Sequence, residues 1–287
     1  MGKIAFDGFS ITVHGRLVEF TRPAVMGILN VTDNSFYDGG RYREAGAMLD
    51  RARQLLAEGA DIIDIGASSS RPGATLIAQD EEARRLTEAV TLIRKELPDS
   101  ILSVDTCFVG PARAAIEAGA DIINDISGGE LDNRMFATVA ELQVPYIMMH
   151  GGREHVNHEP YIEDSKLMDS MVQFFSKRLD TLYRMGVKDV WIDPGFGFGK
   201  TVEQNHMLLD RLDELTTLFR EPLLAALSRK SMIYRPLGTS PEEALGGTIA
   251  LDAIALDRGA RIVRVHDPRP AAETVKLLAL QPPAPEH

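Results

Sequence analysis

The stretch AGADIIN, residues 118–124, holds the end of a helix and the start of a strand. Glycine closes a helix because it enters the left-handed conformation without a Cβ clash, and the β-branched residues behind it favour an extended chain. The pattern recurs as EGADIID (58–64), MGVKDVWID (185–193) and RGARIVRVH (258–266). The junction glycines, Gly59, Gly119, Gly186 and Gly259, lie 60, 67 and 73 residues apart, about two β-α units each time, so one more strand belongs in every interval. VMGILN (25–30), ILSVDT (101–106), PYIMMH (145–150) and PLLAALS (222–228) complete a set of eight.

The segments between these strands read as amphipathic helices, among them DEEARRLTEAVTLIRKEL (80–97) and SPEEALGGTIALDAIAL (240–256). In the second, Ser240 is the expected N-cap, Pro241 the first helical residue and Glu243 the closing member of a capping box. Eight strands, most followed by a helix, fit an α/β fold of the (β/α)8 barrel type. A two-domain dinucleotide-binding fold fits less well, because no G-x-G-x-x-G opens a helix after the first strand. Residues 1–20, KIAFDGFSITVHG (3–15) in particular, read as a short hairpin ahead of the barrel. No linker interrupts the chain, so residues 1–280 are expected to be one domain, with QPPAPEH (281–287) a disordered tail.

Composition excludes several functions. With 287 residues, 44% of them hydrophobic and 25% charged, the chain can bury a large core and reads as an ordinary globular protein. No apolar run approaches a membrane span and MGKIAFDGFS lacks the apolar centre of a signal peptide, which makes the cytoplasm the expected compartment. One cysteine, Cys107, rules out an internal disulfide and a multi-cysteine metal site. A net charge of -11 argues against nonspecific nucleic-acid binding, and any anionic ligand must be met by local cations.

A barrel concentrates chemistry at the C-terminal ends of its strands. Those ends carry Asn30, Ser68 to Arg71, Asp105, Asn124, Met149 with His150, Asp193, Ser228 to Lys230, and Arg264 with His266. Any one of these alone is best read as a cap or turn residue. Together they form a ring of carboxylates, amides and cations suited to a neutral, donor-rich heterocycle beside an anion. DPGFGFGKT (193–201) imitates a nucleotide-phosphate loop, but Pro194 stands where the first glycine of G-x-x-x-x-G-K-[ST] belongs and offers no backbone N–H.

GILNVT, SFYDGGRY, SSSRPG, SVDT, INDISGG, DPGFGFGKT, SRKS and RVHD, in this order and at these spacings, resemble the dihydropteroate synthases, the pterin-binding barrel enzymes of folate synthesis. The resemblance spans roughly residues 20 to 278. It implies condensation of 6-hydroxymethyl-7,8-dihydropterin diphosphate with p-aminobenzoate to 7,8-dihydropteroate and diphosphate, assisted by Mg²⁺. Asp105, Asn124, Met149, Asp193, Gly197 and Lys230 match the pterin site; Asn30, Arg71, Arg264 and His266 match the diphosphate site, with Asn30 also the Mg²⁺ ligand. Phe36, Ser70, Arg71, Pro72, Phe198 and Ser228 match the p-aminobenzoate site, and Asp38 is the acidic group of the first mobile loop. Asp105, Lys230, Arg71 and Asp38 are the expected catalytic set. In the family the carbon–oxygen bond breaks first and the amine attacks the resulting cation, so no side-chain nucleophile is needed; the family is usually a homodimer. Phe196 is expected to pack in the loop and Lys200 to stand outside the chemistry.

The chain also departs from the family pattern. Its first loop reads Asn30-Val31-Thr32-Asp33-Asn34-Ser35-Phe36 and lacks a proline, its second reads Gly66-Ala67-Ser68-Ser69-Ser70-Arg71-Pro72-Gly73 and lacks a glutamate, and Met149-His150-Gly151-Gly152 follows the fifth strand. These changes bear on rate and on sulfonamide sensitivity rather than on ligand class. Two alternatives stay open: a methyltransferase on the same pterin-binding barrel, which has no use for Arg71, Arg264 and His266 as a diphosphate set, and an inactive pterin-binding paralogue.

Overall fold

The computed structural model describes residues 8–31, 41–67, 77–151 and 162–280. Its strands are β1 (Phe9–Val13), β2 (Arg16–Phe20), β3 (Ala24–Asn30), β4 (Ile62–Gly66), β5 (Ile101–Asp105), β6 (Ile122–Asp125), β7 (Tyr146–Met149), β8 (Val190–Asp193), β9 (Leu224–Ala225) and β10 (Ile262–Val265). The described helices are α1 (Arg41–Ala57), α2 (Gln79–Glu96), α3 (Val109–Glu117), α4 (Met135–Leu142), α5 (Leu167–Arg184), α6 (Val202–Asp210), α7 (Leu212–Leu218), α8 (Ser231–Leu237), α9 (Leu245–Asp257) and α10 (Pro268–Ala279). Strands β3 to β10 form one parallel sheet in the order β8-β7-β6-β5-β4-β3-β10-β9. The ring closes through a single bridge, Ile192 to Leu223, and the Ile192 N–H donates to Pro222 O at 3.0 Å. All eight expected strands are present, and the fold is a (β/α)8 barrel preceded by a hairpin.

The repeated junction has one physical cause. Gly59, Gly119, Gly186 and Gly259 all have positive φ, between 86° and 111°. At each, the residue after the glycine donates back to the carbonyl five positions earlier, as in Ala60 N to Leu55 O and Ala260 N to Ala255 O, both within 3.0 Å, while the glycine donates to the carbonyl three earlier. This paired closure satisfies the last helical carbonyls and turns the chain straight into a strand. The aspartate two positions after the glycine then anchors the strand start: Asp61 Oδ2 accepts from Val25 N at 2.9 Å and Asp121 Oδ2 from Leu102 N at 2.7 Å.

Alternating side chains divide each strand between two environments. One set, including Ile63, Ile65, Leu102, Val104, Ile123, Met148 and Ile192, is buried against the helices with Leu55, Leu86, Val90 and Phe175. The other set fills the barrel: Met26, Ile62, Ile122, Ile147, Trp191, Leu224 and Ile262 pack with Ile11 and Phe20 of the hairpin. The hairpin is therefore the plug of the barrel floor. Phe9 stacks on Phe20 at 4.6 Å and meets Trp191 edge-on at 5.6 Å. Its strands span 9–13 and 16–20, inside the expected 1–20, and His14 (φ 48°) and Gly15 (φ 72°) supply the two left-handed residues of the tight turn between them.

Two expectations need adjustment. The helix expected over 80–97 is α2, displaced by one residue, but the one expected over 240–256 is divided into a 3-10 turn at Pro241–Glu243 and α9 from Leu245. The Glu243 carboxylate does accept from Ser240 N, at 3.3 Å, yet the box caps the 3-10 turn rather than the long helix. The segment 281–287 lies outside the described residues.

Candidate active site

Two residues above the apolar floor, the inward positions turn polar. Ile62 is followed by Asp64, Ile122 by Asn124, Trp191 by Asp193 and Ile262 by Arg264, with Asp105 at the end of β5. Arg264 ties three strands together: its Nε donates to Asp64 Oδ2 at 2.6 Å and its Nη2 to Asp105 Oδ2 at 2.9 Å. Asn124 Nδ2 donates to the same Asp64 oxygen at 3.1 Å, which leaves the amide oxygen of Asn124 as an acceptor for a ligand. Asp64 is fully buried, and its Oδ1 has no hydrogen-bond partner.

Asp64 is the residue that sequence reasoning missed, although the repeat contained the signal. Asp64, Asn124 and Arg264 each stand five positions after a junction glycine, in GADIID, GADIIN and GARIVR. Equivalent positions in a barrel repeat face the same interior, so three chemically complementary side chains at one repeat position meet there.

The remaining polar ends lie around this cluster. Asp193 is buried and its Oδ1 accepts from Gly195 N at 2.7 Å. Burial raises its pKa, against the pull of Lys230, of the Gly195 N–H and of Arg264. Burial also carries the Asp105 carboxyl up to about 7; Arg264 opposes this, and Asp64, Glu82 and Asp125 reinforce it. The Lys230 ammonium moves the other way, down to about 8, chiefly through desolvation. Its Nζ donates to Phe196 O and lies 4.7 Å from the ring centre of Phe198. Gly197 has φ +79°, and a Cβ there would come within 2.9 Å of Lys230 Cδ, so glycine lets the lysine lie across the loop. Met149 is buried at the end of β7. Ser228 Oγ and His266 Nδ1 share a hydrogen bond of 2.9 Å, and Ser228 Oγ accepts from His266 N at 3.2 Å, linking the residues expected to hold the two anionic groups.

The motifs also contain residues that shape loops instead of facing a ligand. Asp125 of INDISGG accepts from Ser127 N, Ser127 Oγ, Gly129 N and Tyr146 OH at 2.7 to 2.9 Å, and so fixes the turn behind Asn124. Arg229 of SRKS has φ +58° and is held by both oxygens of Asp267 from RVHD at 3.0 Å, which turns it away between Ser228 and Lys230. Thr201 caps α6 by accepting from Gln204 N at 3.1 Å. The apparent phosphate loop therefore ends in a helix cap, with Thr201 committed to α6. Phe196 is fully buried, as its packing role required.

Asn30 is exposed at the end of β3, and among the described residues its side chain has no hydrogen-bond partner. No group of three His, Cys, Asp or Glu among the described residues could hold a metal ion. An Mg²⁺ ion that keeps water and phosphate oxygens in its shell needs few protein ligands, so one amide oxygen at this position fits such an ion. Phe36, Asp38, Ser70, Arg71 and Pro72 lie outside the described residues, as do the loop departures at Asp33, Asn34 and 68–70.

A parallel barrel with buried carboxylates, an oriented amide and two cations at its mouth belongs to the enzymes that read a flat, polar heterocycle. Residues 26–266 match the family described as pterin binding enzyme. Over 269 residues the chain is 42% identical to a dihydropteroate synthase of Streptococcus pyogenes serotype M3, covering 92% of this chain and 98% of that one. A Xanthomonas albilineans dihydropteroate synthase solved with 4-aminobenzoic acid superposes with a TM-score of 0.85 at 35% identity, covering 95% and 99% of the two chains. A Coxiella burnetii dihydropteroate synthase in complex with pteroic acid superposes with a TM-score of 0.84 at 34% identity, covering 94% and 98%. The chain belongs to the pterin-binding enzyme family and, within it, to the dihydropteroate synthases.

Proposed function

We propose that this protein catalyses the dihydropteroate synthase reaction, joining a 6-hydroxymethyl-7,8-dihydropterin diphosphate to p-aminobenzoate. The observation that carries this reading is the buried Asp64–Arg264–Asp105 bridge with Asn124 oriented beside it. A 2-amino-4-oxo ring has donors on one edge and an acceptor on the other. Asp105, Asp193 and the amide oxygen of Asn124 accept from the donor edge, Lys230 donates to the acceptor, and Met149 packs on the ring face.

In the reaction the carbon–oxygen bond to diphosphate breaks first, and the amine nitrogen then forms its bond to the pterin methylene carbon. The diphosphate leaves with the bonding pair and the amine gives up a proton. Buried carboxylates around the ring favour the positive charge that develops on the pterin. Arg264 spends Nε and Nη2 on carboxylates, and its Nη1, which has no hydrogen bond among the described residues, donates to the leaving group together with Arg71 and His266. An Mg²⁺ ion at Asn30 would supply positive charge to the same phosphate oxygens. Phe198, Ser228, Phe36, Ser70, Arg71 and Pro72 form the p-aminobenzoate side, with Asp38 from the first loop.

Two copies of the chain pair through α8, α9 and α10 in this reading. Leu237, Ile254 and Leu277 on those helices are 59%, 42% and 64% exposed, and apolar side chains of this kind favour a covered face; sedimentation at micromolar concentration, showing monomer alone, would refute the pairing. The reading assigns the enzyme to the cytoplasm, where Cys107, buried and free, stays reduced. No described helix is long and apolar enough to cross a membrane. Incubation with the dihydropterin diphosphate, p-aminobenzoate and Mg²⁺ should yield 7,8-dihydropteroate and diphosphate in equal amounts. Pterin binding without product would favour the inactive paralogue, and methyl transfer from a methyl-tetrahydrofolate would favour the other alternative.

A further inference from the structure

The loop from Asp193 to Thr201 is held by two side chains outside the ligand set. Lys200 Nζ donates to Gly195 O at 2.9 Å, to Phe198 O at 3.1 Å and to His150 O at 3.3 Å. An ammonium has three N–H groups, and here all three end on backbone carbonyls, two from the loop and one from the end of β7. The contact depends on Gly195: φ is +71° there, and a Cβ would come within 2.2 Å of His150 O. From the other side, the buried Asn205 of α6 accepts from Gly197 N at 2.7 Å and donates to Thr201 O at 2.6 Å.

Lys230 rests on the same loop through Gly197, Phe196 O and the Phe198 ring. The two lysines have different work, because one faces the mouth and the other is committed to carbonyls. Burial brings the Lys200 ammonium down to about 7, against the attraction of Asp193 and with the repulsion of Lys230. A cation kept in such a place at this cost has a structural return, the closing of the loop onto β7.

We propose that Lys200 is a positioning residue: by clamping the 193–199 loop to the end of β7 it holds Phe198 where p-aminobenzoate is received. The identity of that second substrate rests on the function proposed above, whereas the clamp itself does not. Lys200→Met keeps the aliphatic stem and removes all three donors. Amide hydrogen exchange within 195–199 should accelerate by about tenfold or more, with the barrel strands unchanged, because a local opening has lost its clamp. The KM for p-aminobenzoate should rise about tenfold, while calorimetric affinity for the pterin changes less than about threefold, since misplacement of one wall acts on the ligand it touches. Asn205→Ala releases the loop from the opposite side with no buried charge disturbed, and should reproduce the split even where Lys200→Met fails to fold. Unchanged exchange in the loop, or equal losses for both substrates, overturns the proposal. Faster exchange in a protein whose wild type makes no dihydropteroate would leave the clamp standing and sink the functional reading instead.

Discussion

The floor and the mouth of the barrel are built from the same strands, one turn of the side-chain alternation apart, yet they obey opposite rules. At the floor, Ile62, Ile122, Trp191 and Ile262 meet the hairpin residues Ile11 and Phe20 in an apolar plug. At the mouth, the next inward residues of those strands are Asp64, Asn124, Asp193 and Arg264, all withdrawn from bulk water. The floor gains stability from area removed from water. The mouth spends stability on desolvating charge and recovers it only through pairing. The difference explains why the active site can be polar without the barrel opening: the apolar layer beneath it carries the fold.

The sharpest way to break this comparison is Arg264→Met. Asp64 and Asp105 would lose the guanidinium they share, and removing one partner of a buried ion pair costs about 3–5 kcal/mol. Urea unfolding should show that loss, and kcat/KM for the pterin diphosphate should drop by about a thousandfold or more, as expected when a charge-stabilising donor disappears. A variant of wild-type stability would mean that the bridge contributes nothing.

Trp191→Ala makes the complementary cut in the floor. Truncating a large buried aromatic costs about 3–5 kcal/mol in stability, but KM for both substrates in the surviving folded protein should stay within about threefold, because the layer above is held by its own hydrogen bonds. Loss of pterin affinity out of proportion to stability would show that the two layers are one unit.

Acid and base limbs follow from the mouth alone. Asp105, raised to about 7, accepts far more strongly from the ring when ionised, so pterin affinity should fall as pH drops below about 7. Lys230, lowered to about 8, donates to the ring only when protonated, so affinity should fall again above about 8. kcat/KM measured between pH 5 and 10 should therefore be bell-shaped, and Asp105→Asn should flatten the acid limb while sparing the other.

The smallest effect concerns a buried acid in neither region. Asp252 on α9 is 1% exposed, and its Oδ1 has no hydrogen-bond partner. Burial raises its pKa well above the ordinary value, so the folded state takes up a proton there and the chain loses stability as pH rises from about 4, the unfolded value. Asp252→Ala should raise stability by about 1–3 kcal/mol at neutral pH, the cost of a buried unsatisfied polar group, and by less below about pH 4, where the carboxyl is protonated in the folded and unfolded states alike. Denaturant melts at pH 4 and pH 7.5 would test both halves of that statement.

Much of this was legible before folding. The junction glycines and the strands behind them are local: a positive φ and a back-directed hydrogen bond involve six consecutive residues, 115 to 120 in the case of Gly119. Asp105, Asn124, Asp193 and Lys230 were visible because strand ends of a barrel face one mouth. Asp64 was missed because the polar end of its strand was sought at Ser68 to Arg71, although Asp64 stands at the repeat position of Asn124 and Arg264. The division of the helix at Ala244 was hidden because Ser240, Pro241 and Glu243 signal a helical start without fixing how many turns follow.

By itself, the order of residues determined the barrel, its eight strands and the polar character of their ends, since each depends on neighbours a few positions apart. Only closure of the ring decided which charges are partners. Arg264 reaches Asp64 across 200 residues and Asp105 across 159, and Lys200 finds the carbonyl of His150 fifty residues away. Such pairings depend on register between strands and on the curvature of the sheet, which no local pattern encodes.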